Sequence, residues 1–198
     1  MSVATVSAPL ISVALPQNRV ARLFAQAILV FGGSLLLAAS AKAKVMLGPV
    51  DLSLQTLAIL VIAATFGFRL GVATLLLYLA EGAMGFPVFQ STPEKGIGIA
   101  YMMGTTGGFL AGFLVMAAIV GWAVDRGWDR NVFKLFGAML IAEVVMMALG
   151  FAWLASLIGA EKAWVFGVAP FIVADLVKVG IAAALLPAVR GLIERFSA

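Results

Sequence analysis

The chain has 198 residues, of which 64% are hydrophobic and only 11% charged, with a mean hydropathy of +1.15. A soluble domain of this size needs far more polar surface, so the composition points to an all-α, multi-pass protein of the lipid bilayer. The net charge of +4 and pI of about 9.8 do not imply nucleic acid, because the basic residues sit at the ends of apolar segments. Cysteine and histidine are both absent. That removes thiol nucleophiles, imidazole bases and the usual zinc ligands, and no metal or cofactor is expected.

Residues 1–18 read as a loose, flexible tail without periodicity, and residues 19–198 as one transmembrane domain. The first apolar segment runs from about Val20 to Ala41. Its Arg19 and Arg22 flank and "AASA" end also suit a cleaved leader, but an uncleaved span is the simpler reading. A second segment covers about Leu52–Phe68 and a third about Gly71–Phe86, turning at "GFRLG" into a tight helical hairpin. Seventeen residues rise roughly 26 Å, slightly less than a ~30 Å hydrocarbon core. "GFPVFQSTPEKGIG" (residues 85–98) is a loop by its prolines and glycines. The fourth segment covers about Ile99–Val124, the fifth Leu135–Ile158 and the sixth Trp164–Val189.

Six spans result, and charge orients them. With the N-terminus inside, the inner side holds Arg19, Arg22, Arg69, Arg126, Arg130, Lys134, Arg190 and Arg195. The outer side holds Lys42, Lys44, Lys95 and Lys162. The excess places both termini in the cytoplasm.

Candidate site residues are the polar groups inside these segments. Asp175 and Lys178, in "PFIVADLVK", share a helical face at i, i+3 deep in the sixth span. A charge at mid-bilayer costs roughly 2.5–3.5 kcal/mol on insertion scales, and burying a pair gains little over apolar replacements. A ligand site therefore explains the pair better than a structural brace. Tyr78 and Glu81 are likewise i, i+3 on the third span and can face one cavity. Glu143, without a polar companion nearby on the fifth span, is open to three readings, a partner contact, the ligand cavity or another helix, of which the helix contact is the plainest. Gln55 and Thr56 open the second span. "GTTGGFLAGF" (residues 104–113) suits either a close helix crossing or a backbone-lined pocket wall, and Ala39 and Ala43 form a small-xxx-small face suited to docking.

Taken in series, "LGPVDLSLQTLAILV", "GFRLGVATLLLYLAEGAMGFPVF", "GTTGGFLAGF" and "PFIVADLVK" span residues 47–178 and resemble the BioY family, the biotin-specific S components of energy-coupling factor (ECF) transporters. The resemblance implies a six-helix subunit of the bacterial cytoplasmic (inner) membrane that captures biotin from outside. It also implies a transmembrane coupling subunit and ATP-binding cassette ATPase subunits as partners. That division of labour agrees with the lack of a G-x-x-x-x-G-K-[ST] motif, and no enzymatic activity is expected. Carried over by motif are Gln55, Tyr78, Gly107, Gly108, Asp175 and Lys178, with Glu81 and Phe89 from the adjoining stretch. Phe86, Phe89 and Trp164 are the aromatics expected around the bicyclic ring. The chain departs from the family pattern at Asp51, where Pro is usual, and at Thr105 and Phe109, where Pro and Tyr are usual. Competing readings are an S component for riboflavin or thiamine, a proton-coupled carrier, and an intramembrane enzyme using Glu81, Asp175 and Lys178.

Overall fold

The computed structural model describes residues 9–11, 15–45 and 50–196. Most of the expected tail, and residues 47–49 of the first motif, lie outside them. Helix α1 (Arg19–Lys42) leads through a short antiparallel pair, β1 (Lys44–Val45) and β2 (Leu52–Ser53), to α2 (Gln55–Ala83). After a loop come α3 (Gly98–Met102), α4 (Gly107–Val124), a 3-10 turn at Trp128–Arg130, α5 (Val132–Ile158), α6 (Ala160–Gly167) and α7 (Ile172–Phe196). Asn18 caps α1, its side-chain oxygen accepting from the Val20 and Ala21 amides at 2.9 and 3.3 Å. Asn131 caps α5 in the same way. These side chains satisfy amides that the first turn of a helix leaves without partners.

Helices α1, α2, α4 and α5 are each long and apolar enough to cross a membrane. Helices α6 and α7 together make a further candidate, bent by 47°.

Helix α2 is not straight. Gly67 has φ 75° and ψ −174°, a conformation open essentially to glycine alone. Gln55 and Tyr78 would stand roughly 35 Å apart on a straight helix, yet their side chains are hydrogen-bonded at 2.9 Å. The two arms, 55–66 and 68–83, therefore fold back on each other as the expected hairpin, with Gly67 alone as the break. Close contact of the arms needs the missing side chain of Gly71, where a Cβ would lie 3.2 Å from Ala63 Cα.

Two other expected segments are broken. The fourth is interrupted at residues 103–106, so Gly104, Thr105 and Thr106 form a turn rather than helix interior. Glycine and β-branched threonine are poor helix formers, and they stand together here. The sixth is interrupted at residues 168–171, where Pro170 disfavours the helical conformation at Ala169. Asp175 consequently sits in the first turn of α7, not midway along a continuous helix.

Helix α4 is the central element. A Cβ on Gly112 would lie 2.8–3.0 Å from Met146 of α5, and one on Gly121 would lie 2.6 Å from the Phe68 backbone. Backbone thus approaches backbone on both sides. At the Gly67 end, Leu10 is buried in the core, Asp129 pairs with Arg190, and Asp125 accepts from the Phe68 amide at 3.3 Å.

Candidate ligand-binding site

The breaks in the helices bring the polar groups together at the end opposite Gly67. Asp175 and Lys178 leave the first turns of α7 and are 2% and 7% exposed. Lys178 Nζ donates to Asp175 Oδ1 at 2.7 Å, to Thr56 Oγ1 at 2.9 Å and to the Ser53 carbonyl at 2.7 Å. All three ammonium hydrogens are thereby used. The Thr56 hydroxyl in turn donates to Asp175 Oδ1 at 3.2 Å. The cluster ties α7 to the start of α2 and to strand β2, and it compensates two charges that would otherwise be costly to bury.

Beside it, Gln55 donates to the Tyr78 hydroxyl at 2.9 Å, which donates to the Val88 carbonyl at 3.1 Å. Phe89 is fully buried behind this pair, edge-on to Tyr78 and stacked on Tyr101 with centroids 5.3 and 5.2 Å apart.

The mouth is built from the segment around β2 and the 85–98 loop. Asp51 accepts from Ser91 and pairs with Lys95 at 3.2 Å. Gln90 donates to the Asp51 carbonyl at 2.6 Å, and the Tyr101 hydroxyl donates to the Gln90 carbonyl at 2.6 Å. Lys42 fastens the same loop to α1 through the Phe89 and Thr92 carbonyls, at 2.9 and 2.8 Å.

Between these layers lies a narrow space, open at one side, with about 40 Å³ free. Its polar wall carries Asp51, Ser53, Gln55, Thr56, Gln90, Asp175 and Lys178. Phe109, Leu110, Phe113, Met146, Met147 and Phe171 form the apolar wall. An apolar chamber with a few convergent polar groups at one side suits a small, flat ligand that carries both donors and acceptors.

The sequence model of the BioY family matches residues 12–195. The chain belongs to the BioY family. It is 35% identical over 151 residues to a probable biotin transporter BioY of Pyrococcus horikoshii, covering 76% of this chain and 87% of that one. It is 30% identical over 148 residues to the biotin transporter BioY2 of Lactococcus lactis, covering 74% and 79%. Its fold matches the crystal structure of the S-component for biotin from an ECF-type ABC transporter, with a TM-score of 0.76 at 18% identity over 89% of this chain and 95% of that one.

Within this BioY-family fold, Gln55, Asp175 and Lys178 face the chamber together. Tyr78 and Phe89 stand one layer behind it. Tyr78 and Glu81 do not share a cavity: Glu81 accepts from Ser34 of α1 and lines a groove between α1 and the second arm of α2. Its i, i+3 spacing from Tyr78 is overridden because α1 packs against that side of the hairpin. Gly107 and Gly108 lie against Trp153, where their missing side chains let α4 approach α5, and they do not line the chamber. Phe86 and Trp164 are half-exposed on the outside, away from the chamber. Ala39 is exposed on α1, and Ala43 is exposed just past its end, where the chain has left the helix.

The aromatic wall actually comes from Phe109, Phe113 and Phe171. Ser53, Asp51 and Gln90 also line the chamber without standing out as site residues in the sequence, and Thr56 stands out there only as a polar residue at a helix start. Asp51 had a visible sign too, as a departure from the family pattern.

Proposed function

We propose that this chain captures biotin at the loop end and takes it across the cytoplasmic membrane as the S component of an ECF-type transporter. The observation that carries this reading is the Asp175–Lys178–Thr56 cluster facing an apolar, aromatic-walled chamber. Biotin offers a ureido group with two N–H donors and one carbonyl acceptor on a fused apolar bicycle. Asp175 accepts a ureido N–H, Lys178 exchanges its bond to the Ser53 carbonyl for one to the ureido carbonyl, and the bicycle lies against Phe109, Phe113 and Phe171. The relatives named above as biotin transporters support the same ligand.

The two arms of α2 count as two crossings, and the bent α6–α7 pair as one. With α1, α4 and α5 this gives six spans, with both termini in the cytoplasm and the chamber toward the outside. The basic residues support this orientation through their excess at the Gly67 end. Residues 19–198 act as one domain. Ala39 on α1 and Ala43 just past its end offer exposed small residues to a transmembrane coupling subunit, and partner ATPases supply energy.

Calorimetric titration of the purified chain with biotin, riboflavin and thiamine tests the reading. Saturable heat with biotin alone is expected. A folded protein that ignores biotin overturns it, and selective binding of riboflavin or thiamine reassigns the ligand.

A further inference from the structure

Glu143 lies outside the polar cluster described above. It projects from α5 and is 5% exposed, and neither carboxyl oxygen makes a hydrogen bond among the described residues. Its carboxyl and that of Asp175 line one groove and interact with each other. A buried polar group without a partner gives up its hydration uncompensated, and a carboxyl loses more than most. Inside a bilayer, such a group marks a functional site.

Glu143 opens into a groove of about 260 Å³ on the outer face of the bundle, beside the break between α6 and α7. Leu140, Val144, Val168, Ile172 and Leu176 form its apolar walls. Asp175 and Met147 line both this groove and the main chamber, so these two side chains are the partition. Asp175 is held by Lys178 and Thr56. Met147 carries an unbranched, flexible thioether and is the movable part. It lies one turn on from Glu143 on the same helical face, so swinging it aside opens Glu143 to the chamber.

We propose that the ligand site extends past Met147, and that Glu143 accepts one N–H of a cyclic urea while Asp175 accepts the other. The inference rests on the biotin reading. A ureido ring presents its two N–H groups on opposite sides of the carbonyl, and two acceptors on different elements serve them better than one. Lys178 and Thr56 both bond to Asp175 Oδ1, and Oδ2 receives neither. The second N–H then falls to the adjacent carboxyl of Glu143, whose oxygens accept no hydrogen bond among the described residues.

The test compares biotin with two analogues, each methylated on one ureido nitrogen, binding to the purified full chain and its Glu143→Leu and Glu143→Gln variants. Wild type should discriminate against both analogues. Glu143→Leu should bind biotin about tenfold to a hundredfold more weakly and lose discrimination at one nitrogen only. Glu143→Gln, whose amide oxygen still accepts, should keep most of the affinity and both discriminations.

A structural role scales the three ligands together, so weakening with discrimination intact overturns the inference. Unchanged affinity in Glu143→Leu overturns it as well. Leucine removes an unsatisfied group, so the thermal midpoint of that variant should equal or exceed wild type. If it nevertheless fails to fold, Met147→Phe takes its place. A stiffer ring keeps the partition closed, and biotin affinity should drop with loss of discrimination at the same nitrogen; unchanged binding there is a negative result. Wild type that does not bind biotin overturns the functional reading and this inference together. Biotin binding that is indifferent to position 143 overturns the inference alone.

Discussion

Lys178 is where structure and the proposed ligand recognition meet, since its three hydrogen bonds hold the start of α2, the end of β2 and Asp175 at once. Lys178→Met leaves Asp175 as an uncompensated buried charge. Breaking such a pair costs about 3–5 kcal/mol, whereas replacing both partners with apolar groups is often neutral. Lys178→Met should therefore lower the thermal midpoint and abolish measurable biotin binding. The double variant Asp175→Leu, Lys178→Met should recover much of the stability without recovering binding. Recovery of both would reduce the pair to a brace between helices. The importance of these two residues is readable from sequence because a charge within an apolar run stands out at once. The partners Ser53 and Thr56 are not, because they lie more than a hundred positions away and have ordinary polarity for a helix start. Glu81 misleads for the same reason: its spacing from Tyr78 is visible, and the Ser34 hydroxyl that captures it is not.

At the scale of elements, the apolar runs announce the long helices, and the breaks within them decide the site. The hairpin at "GFRLG" is legible because two apolar runs meet at glycines. The turn at 103–106 and the bend at 168–171 are less so, since hydropathy continues across both. Each break turns a helix start toward the chamber, placing Thr106 and Asp175 on its wall. Gly67 is the break most open to test. A side chain there meets both a conformation that costs about 1–3 kcal/mol and the carboxylate of Asp125. Gly67→Ala should lower the thermal midpoint by several degrees.

Asp125 itself reports on this junction. Burial raises its carboxyl above the ordinary range, against the opposing Phe68 amide, Arg69 and Arg126. A carboxyl raised on folding binds its proton more tightly in the native state, so its contribution falls as pH climbs from the unfolded value through the higher folded one. Thermal midpoints measured across that window should decline more steeply in wild type than in Asp125→Asn. Equal slopes would mean that the junction opens to solvent in the membrane-extracted protein.

For the whole molecule, the decisive question is which end faces the medium, because a capture site must meet its ligand before the membrane is crossed. The chamber mouth and the exposed Glu94 lie at the loop end, beside the Asp51–Lys95 pair. Exposed Arg130 lies at the Gly67 end, beside the buried Asp129–Arg190 pair. Seven of the basic residues assigned inside are arginines, and retention of such residues on the cytoplasmic side is the strongest orienting rule for short loops. The chain has no cysteine, so a single introduced thiol reports its own location without background. Glu94→Cys should react with a membrane-impermeant maleimide in intact cells. Arg130→Cys should react only after the membrane is permeabilised. The reverse pattern would turn the chamber toward the cytoplasm, where the same Asp175–Lys178 cluster would sit at an exit rather than an entrance, and capture from outside would have to be abandoned even if biotin binds.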